Sequence, residues 1–268
     1  MAEPAPQTED DVLYEVADHV ATITINREHA RNTISGPMLD AVTELMLRAD
    51  RDSDVRCIIL TGRGRFFCAG LDLTTGKVGG GSSESGGFTN LDLRATPPTV
   101  MFNLDTPTIC ALNGSAAGYG LDMALGCDIR VMSEGAKMAA AFTARGIVPE
   151  SGGTWILPRL LGWSKAAELI FTGRTLDAAE SLELGLVSHV VPAEDVEAKS
   201  RALAAEIAGN APLAIQAAKR MMRMGLSENF DDHVHHVFLQ LLPLFRTDDF
   251  KEGIASFMEK RPAEFKGR

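Results

Sequence analysis

The chain has 268 residues, of which 45% are hydrophobic and 23% are charged, and its formal net charge is −10 at pH 7. A chain of this length can bury a sizeable core, which excludes a mini-protein that depends on disulfides or metals. The composition argues against wholesale disorder and fibrous repeats, and the negative charge disfavours nucleic acid and anionic membranes as partners.

The cysteines and the N-terminus indicate a cellular compartment. Cys57, Cys68, Cys110 and Cys127 lie in apolar segments without the C-x-x-C spacing of zinc or redox sites, so we expect free thiols. The N-terminus is acidic and Pro-rich, unlike a signal peptide, and no run of about eighteen apolar residues occurs. The sequence predicts a cytoplasmic enzyme or binding protein without a membrane segment.

The N-terminal half alternates predicted strands and helices. Residues 1–11 are typical of a disordered segment, and strands are predicted at residues 20–25, 55–61 and 107–112. The second strand contains a continuous apolar run, CIIL, which suits burial on both faces of a parallel sheet. Apolar residues recur at helical spacing between Ser35, the predicted N-cap, and Asp52.

A long loop and a helical region follow. Residues 74–98 contain GKVGGGSSESGG, which has too little apolar surface to order itself and is typical of a mobile flap. From residue 164 onward, helices are predicted at residues 165–171, 176–184, 194–208, 213–224 and 229–244. No sequence repeat of 20 to 50 residues is evident. The pattern predicts an α/β core followed by a helical C-terminal part.

Two glycine-rich segments match nucleotide-binding motifs only in part. Gly70 to Lys77 has one residue too many between its glycines for a phosphate loop, and Val78 replaces the required serine or threonine. Gly118 and a second glycine open a predicted helix, but Met123 stands where a dinucleotide fingerprint needs its third glycine. A nicotinamide-dependent oxidoreductase is therefore only a distant alternative.

A histidine-rich segment, DDHVHH at residues 231–236, raises the question of a metal site. Asp232 and His236 are four residues apart and could share one helix face. Without a third defined ligand, a solvated or intersubunit polar face is the favoured interpretation, and no metal is predicted. The sequence also lacks the G-x-S-x-G motif of α/β-hydrolases.

Three glycine-rich segments carry the candidate chemistry: residues 66–73, 113–120 and 147–161. Each is expected to follow a strand and to place backbone amides beside a helix start. Small residues let backbone N–H groups approach a ligand closely, and two convergent amides can stabilise an oxyanion. Taken singly, each segment also fits an ordinary tight turn.

In order and together, these segments resemble the crotonase (enoyl-CoA hydratase/isomerase) superfamily. The resemblance rests on FCAGLDL, NGSAAGYGLDMALGCDIR, GIVPESGGTWILPRLLG and the closing FMEKRPAEFKGR. It implies an α/β fold with a crotonase-like ββα spiral core at residues 12–200 and a C-terminal helical trimerisation region at residues 201–268. It also implies an acyl-CoA thioester substrate, of which CoA is a part rather than a cofactor, and a homotrimer or dimer of trimers.

The resemblance assigns an oxyanion hole to two backbone amides, those of Leu71 and Tyr119. Most hydratases of the family carry glycine where this chain has Tyr119. Because a backbone donor needs only its N–H, the tyrosine bears on local shape more than on function. Substrate contacts are assigned to Ala69, Gly70, Asp72, Gly118 and Phe142.

The resemblance also assigns the carboxylates. Family hydratases use two glutamates twenty residues apart, and the matching residues here are Asp122 and Phe142, so the second carboxylate is absent. Glu150 stands eight residues later, where a hydratase has glycine. An acidic residue at this position resembles enoyl-CoA isomerases, including the phenylacetate-pathway type, and dienoyl-CoA isomerases. An aspartate there is a nucleophile in the family's aryl-CoA dehalogenases.

A single carboxylate suits isomerisation, in which a proton leaves C2 and returns at C4. Hydration instead needs a held water and a second acid or base, and Phe142 favours a dry pocket. Glu150 could alternatively be a first-turn acid that interacts with the helix dipole. Asp122 is the second candidate catalytic residue. It could act directly or, as the favoured role, support Glu150, and the alternative is a structural carboxylate satisfied by amides or an arginine.

The leading hypothesis is thus a 3-enoyl-CoA to 2-enoyl-CoA isomerase with Glu150 as proton shuttle. A hydratase is the alternative within the family, and a catalytically silent acyl-CoA-binding protein is the alternative from another class. The phosphates of CoA require a basic patch. Its candidate members are Arg27, Arg31, Lys260, Arg261 and Lys266.

Overall fold

The computed structural model describes residues 11–73 and 96–268. The predicted disorder is wrong for Asp11, which is buried, and residues 1–10 lie outside the described residues. Most of the predicted flap at residues 74–98 also lies outside them. The end of that flap prediction is wrong, because residues 97 and 98 open a helix. Both residues are prolines, which suit the first positions of a helix since no intrahelical acceptor is available there.

The structure assigns strands and helices to most of the described chain. The strands are β1 (Val12–Ala17), β2 (Val20–Ile25), β3 (Cys57–Gly62), β4 (Phe66–Cys68), β5 (Thr108–Leu112), β6 (Ser115–Ala117), β7 (Ile129–Ser133), β8 (Lys137–Ala139), β9 (Thr175–Asp177) and β10 (His189–Val191). The helices are α1 (Gly36–Arg51), α2 (Pro97–Asn103), α3 (Tyr119–Gly126), α4 (Gly153–Leu161), α5 (Trp163–Thr172), α6 (Ala178–Glu183), α7 (Val196–Ala208), α8 (Pro212–Gly225), α9 (Phe230–Leu244) and α10 (Asp248–Glu259).

The strands form two sheets. The larger has the order β1-β2-β3-β5-β7-β10 and the smaller the order β4-β6-β8-β9. In the larger sheet β1 is antiparallel to β2, and the remaining neighbours are parallel. The pairs β3–β4, β5–β6 and β7–β8 each place one strand in the larger sheet and the next in the smaller. This is the predicted ββα spiral, although no sequence repeat marks it.

The larger sheet is buried on both faces, as the CIIL run predicted. Ile58 and Leu60 of β3 face the main core, which also receives the apolar side of α1. Ile59 faces a second core on the opposite side, together with Val196 and Ala204 of α7. Parallel strands covered by helices on both sides require this continuous apolar sequence.

One predicted helix was only partly correct. Residues 176–184 do not form a continuous helix, because Thr175–Asp177 is the strand β9, paired antiparallel with β8. The side chain of Asp177 accepts a hydrogen bond from the amide of Glu180 at 2.9 Å and so caps α6. Pairing with a strand distant in sequence overrides the local helical pattern there.

Ion pairs join the C-terminal helices to the spiral. Asp105 accepts hydrogen bonds from Arg220 and Arg223 of α8, and Lys219 lies 2.7 Å from a carboxylate oxygen of Asp128.

Helix α9 buries no residue and exposes large apolar side chains, including Phe238. This helix therefore leaves an apolar face uncovered in the single chain.

Candidate active site

The two segments that carry the predicted backbone donors pack against each other. A Cβ atom on Gly70 would lie 3.7 Å from the amide nitrogen of Tyr119. A Cβ atom on Gly120 would lie only 2.2 Å from the carbonyl oxygen of Cys68, a distance that real Cβ atoms do not adopt. Glycine at position 120 is therefore required, and the contact places the loop around Leu71 beside the start of α3.

The amide of Leu71 lies on the open edge of its segment. Leu71 forms an isolated parallel bridge with Ile34. In this bridge Ile34 donates to the carbonyl of Gly70 at 2.9 Å, and Asp72 donates to the carbonyl of Ile34 at 2.8 Å. Because successive amides of an extended segment point in opposite directions, the N–H of Leu71 points away from Ile34. This orientation suits a donor to a ligand.

The amide of Tyr119 lies at the N-terminus of α3. Its N-cap, Gly118, has φ 53° and ψ −122°, a conformation that favours glycine. The amides of Leu121 and Asp122 donate to the carbonyl of Gly118, whereas the first N–H groups of a helix have no intrahelical acceptor. The Tyr119 amide therefore lies at the positive end of the helix, adjacent to the Leu71 loop.

Asp122 is a buried carboxylate, 1% exposed. Its Oδ2 accepts a hydrogen bond from the amide of Ser151 at 3.2 Å, whereas Oδ1 has no hydrogen-bond partner among the described residues. Burial raises the pKa of Asp122 to about 7, against the lowering effect of the Ser151 amide, and the charge of Glu150 raises it further. No arginine satisfies this carboxylate in the described structure, so it is available for proton exchange near neutral pH.

Glu150 lies in the turn ahead of α4. The alternative interpretation of Glu150 as a first-turn acid is wrong, because Gly152 adopts φ 102° as N-cap and the helix begins at Gly153. The segment also follows a short 3-10 turn at Thr143–Arg145 rather than a strand. Glu150 is half-buried, and its Oε2 has no hydrogen-bond partner in the described part of the chain. Burial raises the pKa of Glu150, while its own backbone N–H lowers it.

The structure adds polar groups that the sequence did not single out. The phenolic oxygen of Tyr119 and the hydroxyl oxygen of Ser151 are buried, and neither makes a hydrogen bond to a described residue. Burial raises the pKa of Tyr119, the nearby Ser151 and Thr96 hydroxyls lower it, and Asp122 and Glu150 raise it further. Only tertiary packing brings these side chains together, so no spacing rule could have found them.

The predicted substrate contacts lie in different environments. Phe142 is 2% exposed and belongs to the main apolar core. Ala69 is half-buried, and its amide donates to the carbonyl of Arg31 at 3.1 Å. Gly70 and Gly118 lie at the two donor segments. Contact of these residues with an acyl-CoA stays a prediction.

The structure changes the candidates for the basic patch. Arg27 is buried and forms an ion pair of 2.7 Å with Asp72, so neither side chain is free for CoA in this structure. This removes Arg27 from the candidates. Arg261 makes a bidentate contact with Glu252 on the surface. Arg31 is exposed.

The remaining two candidates, Lys260 and Lys266, also lie on the surface. The assignment of the exposed basic residues to the phosphates of CoA stays a prediction.

The cysteines are free and buried, as predicted. Burial raises the pKa of the Cys57 and Cys68 thiols to about 12, which disfavours the nucleophilic thiolate.

The histidine-rich segment uses His233 and His236 to contact Glu228, at 3.0 and 2.9 Å. Within residues 11–73 and 96–268, no group of three or more metal-binding side chains is found.

None of the helices within residues 11–73 and 96–268 is both long and apolar enough to cross a membrane. A cavity of about 590 Å³ lies between the hairpin β1–β2, the ends of β3 and β5, and α7. Its lining includes Thr22, Asn113 and Ser200 but none of the predicted site residues. The candidate active site is therefore separate from this cavity.

Comparisons with known proteins agree with this architecture. A family model described as Enoyl-CoA hydratase/isomerase matches residues 15–268. Enoyl-CoA hydratase EchA19 of Mycobacterium tuberculosis is 36% identical over 263 residues, which cover 96% of this chain and 97% of that protein. The 1,2-epoxyphenylacetyl-CoA isomerase of Escherichia coli is 32% identical over 262 residues, with coverage of 96% and 98%.

A solved structure also resembles the whole chain. The crystal structure of an enoyl-CoA hydratase from Bacillus anthracis matches with a TM-score of 0.88 and 33% sequence identity. The match covers 96% of this chain and 100% of that chain. The similarity therefore includes the C-terminal helices as well as the two-sheet spiral.

Proposed function

The chain belongs to the enoyl-CoA hydratase/isomerase family, and we propose that it moves the double bond of a 3-enoyl-CoA to the 2-position. The observation that carries this proposal is the half-buried Glu150, whose Oε2 has no hydrogen-bond partner among the described residues and whose pKa is raised by burial. A carboxylate in such an environment is suited to accept and return a proton.

In the proposed mechanism the Glu150 carboxylate removes a proton from C2 of the 3-enoyl thioester. The electron pair of that C–H bond becomes part of a dienolate, whose negative charge is shared with the thioester oxygen. Glu150 then delivers the proton to C4, and the double bond lies between C2 and C3. The carboxylate is regenerated, so the cycle needs no cofactor, and CoA takes part only as a portion of the substrate.

The charge on the thioester oxygen requires donors at a fixed position. The amides of Leu71 and Tyr119 are proposed for this role, because their segments are in contact and both N–H groups lie outside the pairing of their own elements. Such donors are prearranged and typically lower an acyl-transfer barrier by about 3 kcal/mol each. An enolate of the same oxygen benefits in the same way.

Asp122 is proposed to support Glu150 rather than to replace it. Its pKa of about 7 lets it carry a proton while Glu150 is ionised, which limits repulsion between the two carboxyls. Phe142 occupies the position of the second hydratase glutamate and is buried in the core, which supports a site without a second water-orienting carboxylate there.

Hydration of a 2-enoyl-CoA is the alternative within the family. The nearness of Asp122 and Glu150 favours it, because two carboxyls can orient a water molecule. The similarity to EchA19, named as an enoyl-CoA hydratase, points in the same direction. The similarity to the epoxyphenylacetyl-CoA isomerase instead favours isomerisation.

The test supplies 3-enoyl-CoA and 2-enoyl-CoA separately to the wild type and to Glu150→Gln, and follows the conjugated thioester by its absorbance. We expect the wild type to form the conjugated product from the 3-enoyl substrate. Glu150→Gln should lose about a thousandfold in kcat, since an amide cannot accept the C2 proton. The matched control is Glu44→Gln, an exposed glutamate of α1, which should retain wild-type rates.

Three outcomes would overturn the proposal. Wild-type isomerisation by Glu150→Gln would remove Glu150 from the proton-transfer role. Rapid water addition to 2-enoyl-CoA, with no turnover of the 3-enoyl isomer, would establish the hydratase alternative. Binding of both thioesters without turnover of either would indicate a catalytically silent acyl-CoA-binding protein.

We also propose that the protein assembles through its C-terminal helices as a homotrimer or a dimer of trimers. The apolar face of α9 supports this, since an exposed face of that extent usually marks a contact with another chain. The composition and the reduced cysteines support a cytoplasmic location.

A further inference from the structure

Tyr119 has a side chain whose position the proposed mechanism does not explain. Its backbone is assigned to the oxyanion hole, but its ring is packed in the main core and is only 5% exposed. The phenolic oxygen at the end of that ring is buried, and the Ser151 and Thr96 hydroxyls lie near it, but it makes no hydrogen bond of ordinary geometry to a described residue. A buried hydroxyl without a well-formed hydrogen bond destabilises the folded state, so its retention at this position calls for a reason.

The surroundings of this hydroxyl provide the reason. The hydroxyls of Ser151 and Thr96 lie beside the phenol, and the charges of Asp122 and Glu150 act on it. The Ser151 hydroxyl, Asp122 Oδ1 and Glu150 Oε2 are also buried atoms without hydrogen-bond partners in the described structure. When both carboxyls are ionised, the hydroxyls of Tyr119 and Ser151 supply two donors for two carboxylate acceptors.

Backbone contacts keep the four groups close. The amide of Ser151 donates to Asp122 Oδ2, and Glu150 precedes Ser151 in the chain. Asp122 follows Tyr119 by three residues on α3, so both side chains leave neighbouring positions of one helix. Catalytic hydrogen bonds are often long or misaligned in a free enzyme and tighten when substrate binds.

We propose that the phenolic hydroxyl of Tyr119, together with the Ser151 hydroxyl, positions the Asp122 and Glu150 carboxyls for proton transfer. Tyr119 then has two functions: its amide binds the thioester oxygen, and its hydroxyl holds the proton-transfer groups at a set distance from that oxygen. The role of these carboxyls in proton transfer rests on the proposed function. The contact between the hydroxyl and the carboxyls does not depend on which reaction is catalysed.

The first test needs no substrate. The chain has two tyrosines, Tyr14 and Tyr119, and both phenolic oxygens are buried without partners in the described structure. In protein labelled with ¹³C at tyrosine Cζ, Tyr14→Phe assigns the two NMR signals. We expect the Tyr119 signal to follow the protonation of Asp122, with a midpoint near pH 7, and to shift in Asp122→Asn and Glu150→Gln. The Tyr14 signal should stay constant and serves as an internal control.

The second test is kinetic and uses Tyr119→Phe, which keeps the amide and the ring. We expect kcat to fall about tenfold with KM within about twofold, because one hydrogen bond to a carboxyl is lost. The acidic limb of the pH profile should move to higher pH, since a donor that stabilised the carboxylate is gone. Ser151→Ala should act in the same direction, and Tyr14→Phe should match the wild type.

The outcomes separate this inference from the proposed function. If the chemical shift of the Tyr119 signal stays constant from pH 5 to pH 9 and in both carboxyl variants, the contact is absent. The inference is then wrong for any reaction. If Tyr119→Phe keeps the wild-type kcat and pH profile, the hydroxyl has no positioning role. If the Tyr119 signal responds to the carboxyls but the wild type does not isomerise 3-enoyl-CoA, the proposed reaction is wrong. The contact between the hydroxyl and the carboxyls is then still supported.

Discussion

The spiral and the C-terminal helices are stabilised in different ways. The spiral buries both faces of its larger sheet in apolar side chains. Its two donor segments are in close contact at Gly70 and Gly120, where a side chain would not fit easily. Helix α9 buries no residue of its own. The helices are joined to the spiral through charged contacts, in which Arg223 donates to the carbonyls of Phe102 and Leu104 and contacts Asp105.

The contrast indicates which region is complete in a single chain. A core that excludes water on both sides of its sheet gains most of its stability from apolar burial, which needs no further chain. A helix with an exposed apolar face gains that stability only when another surface covers it. The site residues belong to the first region, so changes there and changes in α9 should have separable effects.

The largest effect is expected from Gly120→Ala. The added Cβ would lie 2.2 Å from the carbonyl oxygen of Cys68, and backbone on both sides prevents adjustment. We expect a loss of about 3–5 kcal/mol of unfolding free energy, together with activity, measured by urea denaturation and turnover. Gly135→Ala is the control, because a Cβ there meets no atom within 4 Å. Wild-type stability of Gly120→Ala would show that the two donor segments are not in close contact.

A change in α9 should break assembly and leave the spiral intact. Phe238→Asp places a charge on the exposed apolar face, where desolvation would disfavour association. We expect the mass from light scattering to fall to that of a single chain at micromolar concentration. Leu182→Asp, an equivalent change on the exposed surface of α6, should retain the wild-type mass. Equal dissociation by both variants would contradict an interface formed by the C-terminal helices.

The pH dependence of stability should have opposite signs in the two regions. The pKa of Asp122 is raised by burial to about 7, so its folded form retains a proton that the unfolded chain releases near pH 4. Its stabilising effect is present below that pH and is lost as pH rises through 7. Asp122→Asn should therefore be more stable than the wild type at pH 8, by about 2 kcal/mol, and about equal at pH 4.

For Asp105, burial raises the pKa, but the hydrogen bonds and charges of Arg220 and Arg223 outweigh burial, so the pKa of this carboxyl lies below its ordinary value. Its contribution is present above that value and is lost as pH falls through the lowered pKa. Asp105→Asn should be less stable than the wild type at pH 7 by about 1–2 kcal/mol, and the difference should shrink near pH 3. Urea denaturation at each pH measures the unfolding free energy of both variants relative to the wild type. The contrast would be refuted if both differences changed in the same direction with pH.

Local pattern was enough to identify the main strands, the apolar side of α1 and the order of the site motifs. Apolar periodicity reports burial directly, because a residue that faces a core must be apolar wherever that core lies. The motifs around Leu71, Tyr119 and Glu150 also implied the ββα spiral, and the structure and the family comparisons confirm that fold. The prediction of the Leu71 and Tyr119 amides as oxyanion donors rests on the same motifs.

Tertiary contacts decided the rest. The strands β4, β6, β8 and β9 are short and pair with residues distant in sequence, so their pattern resembles loops or helix. Arg27 is charged and was a candidate for the basic patch, yet the fold buries it against Asp72. The cluster of Tyr119, Asp122, Glu150 and Ser151 forms because α3 meets the turn before α4. Burial and charge set pKa values only after folding has brought such groups together, and no local pattern encodes those distances.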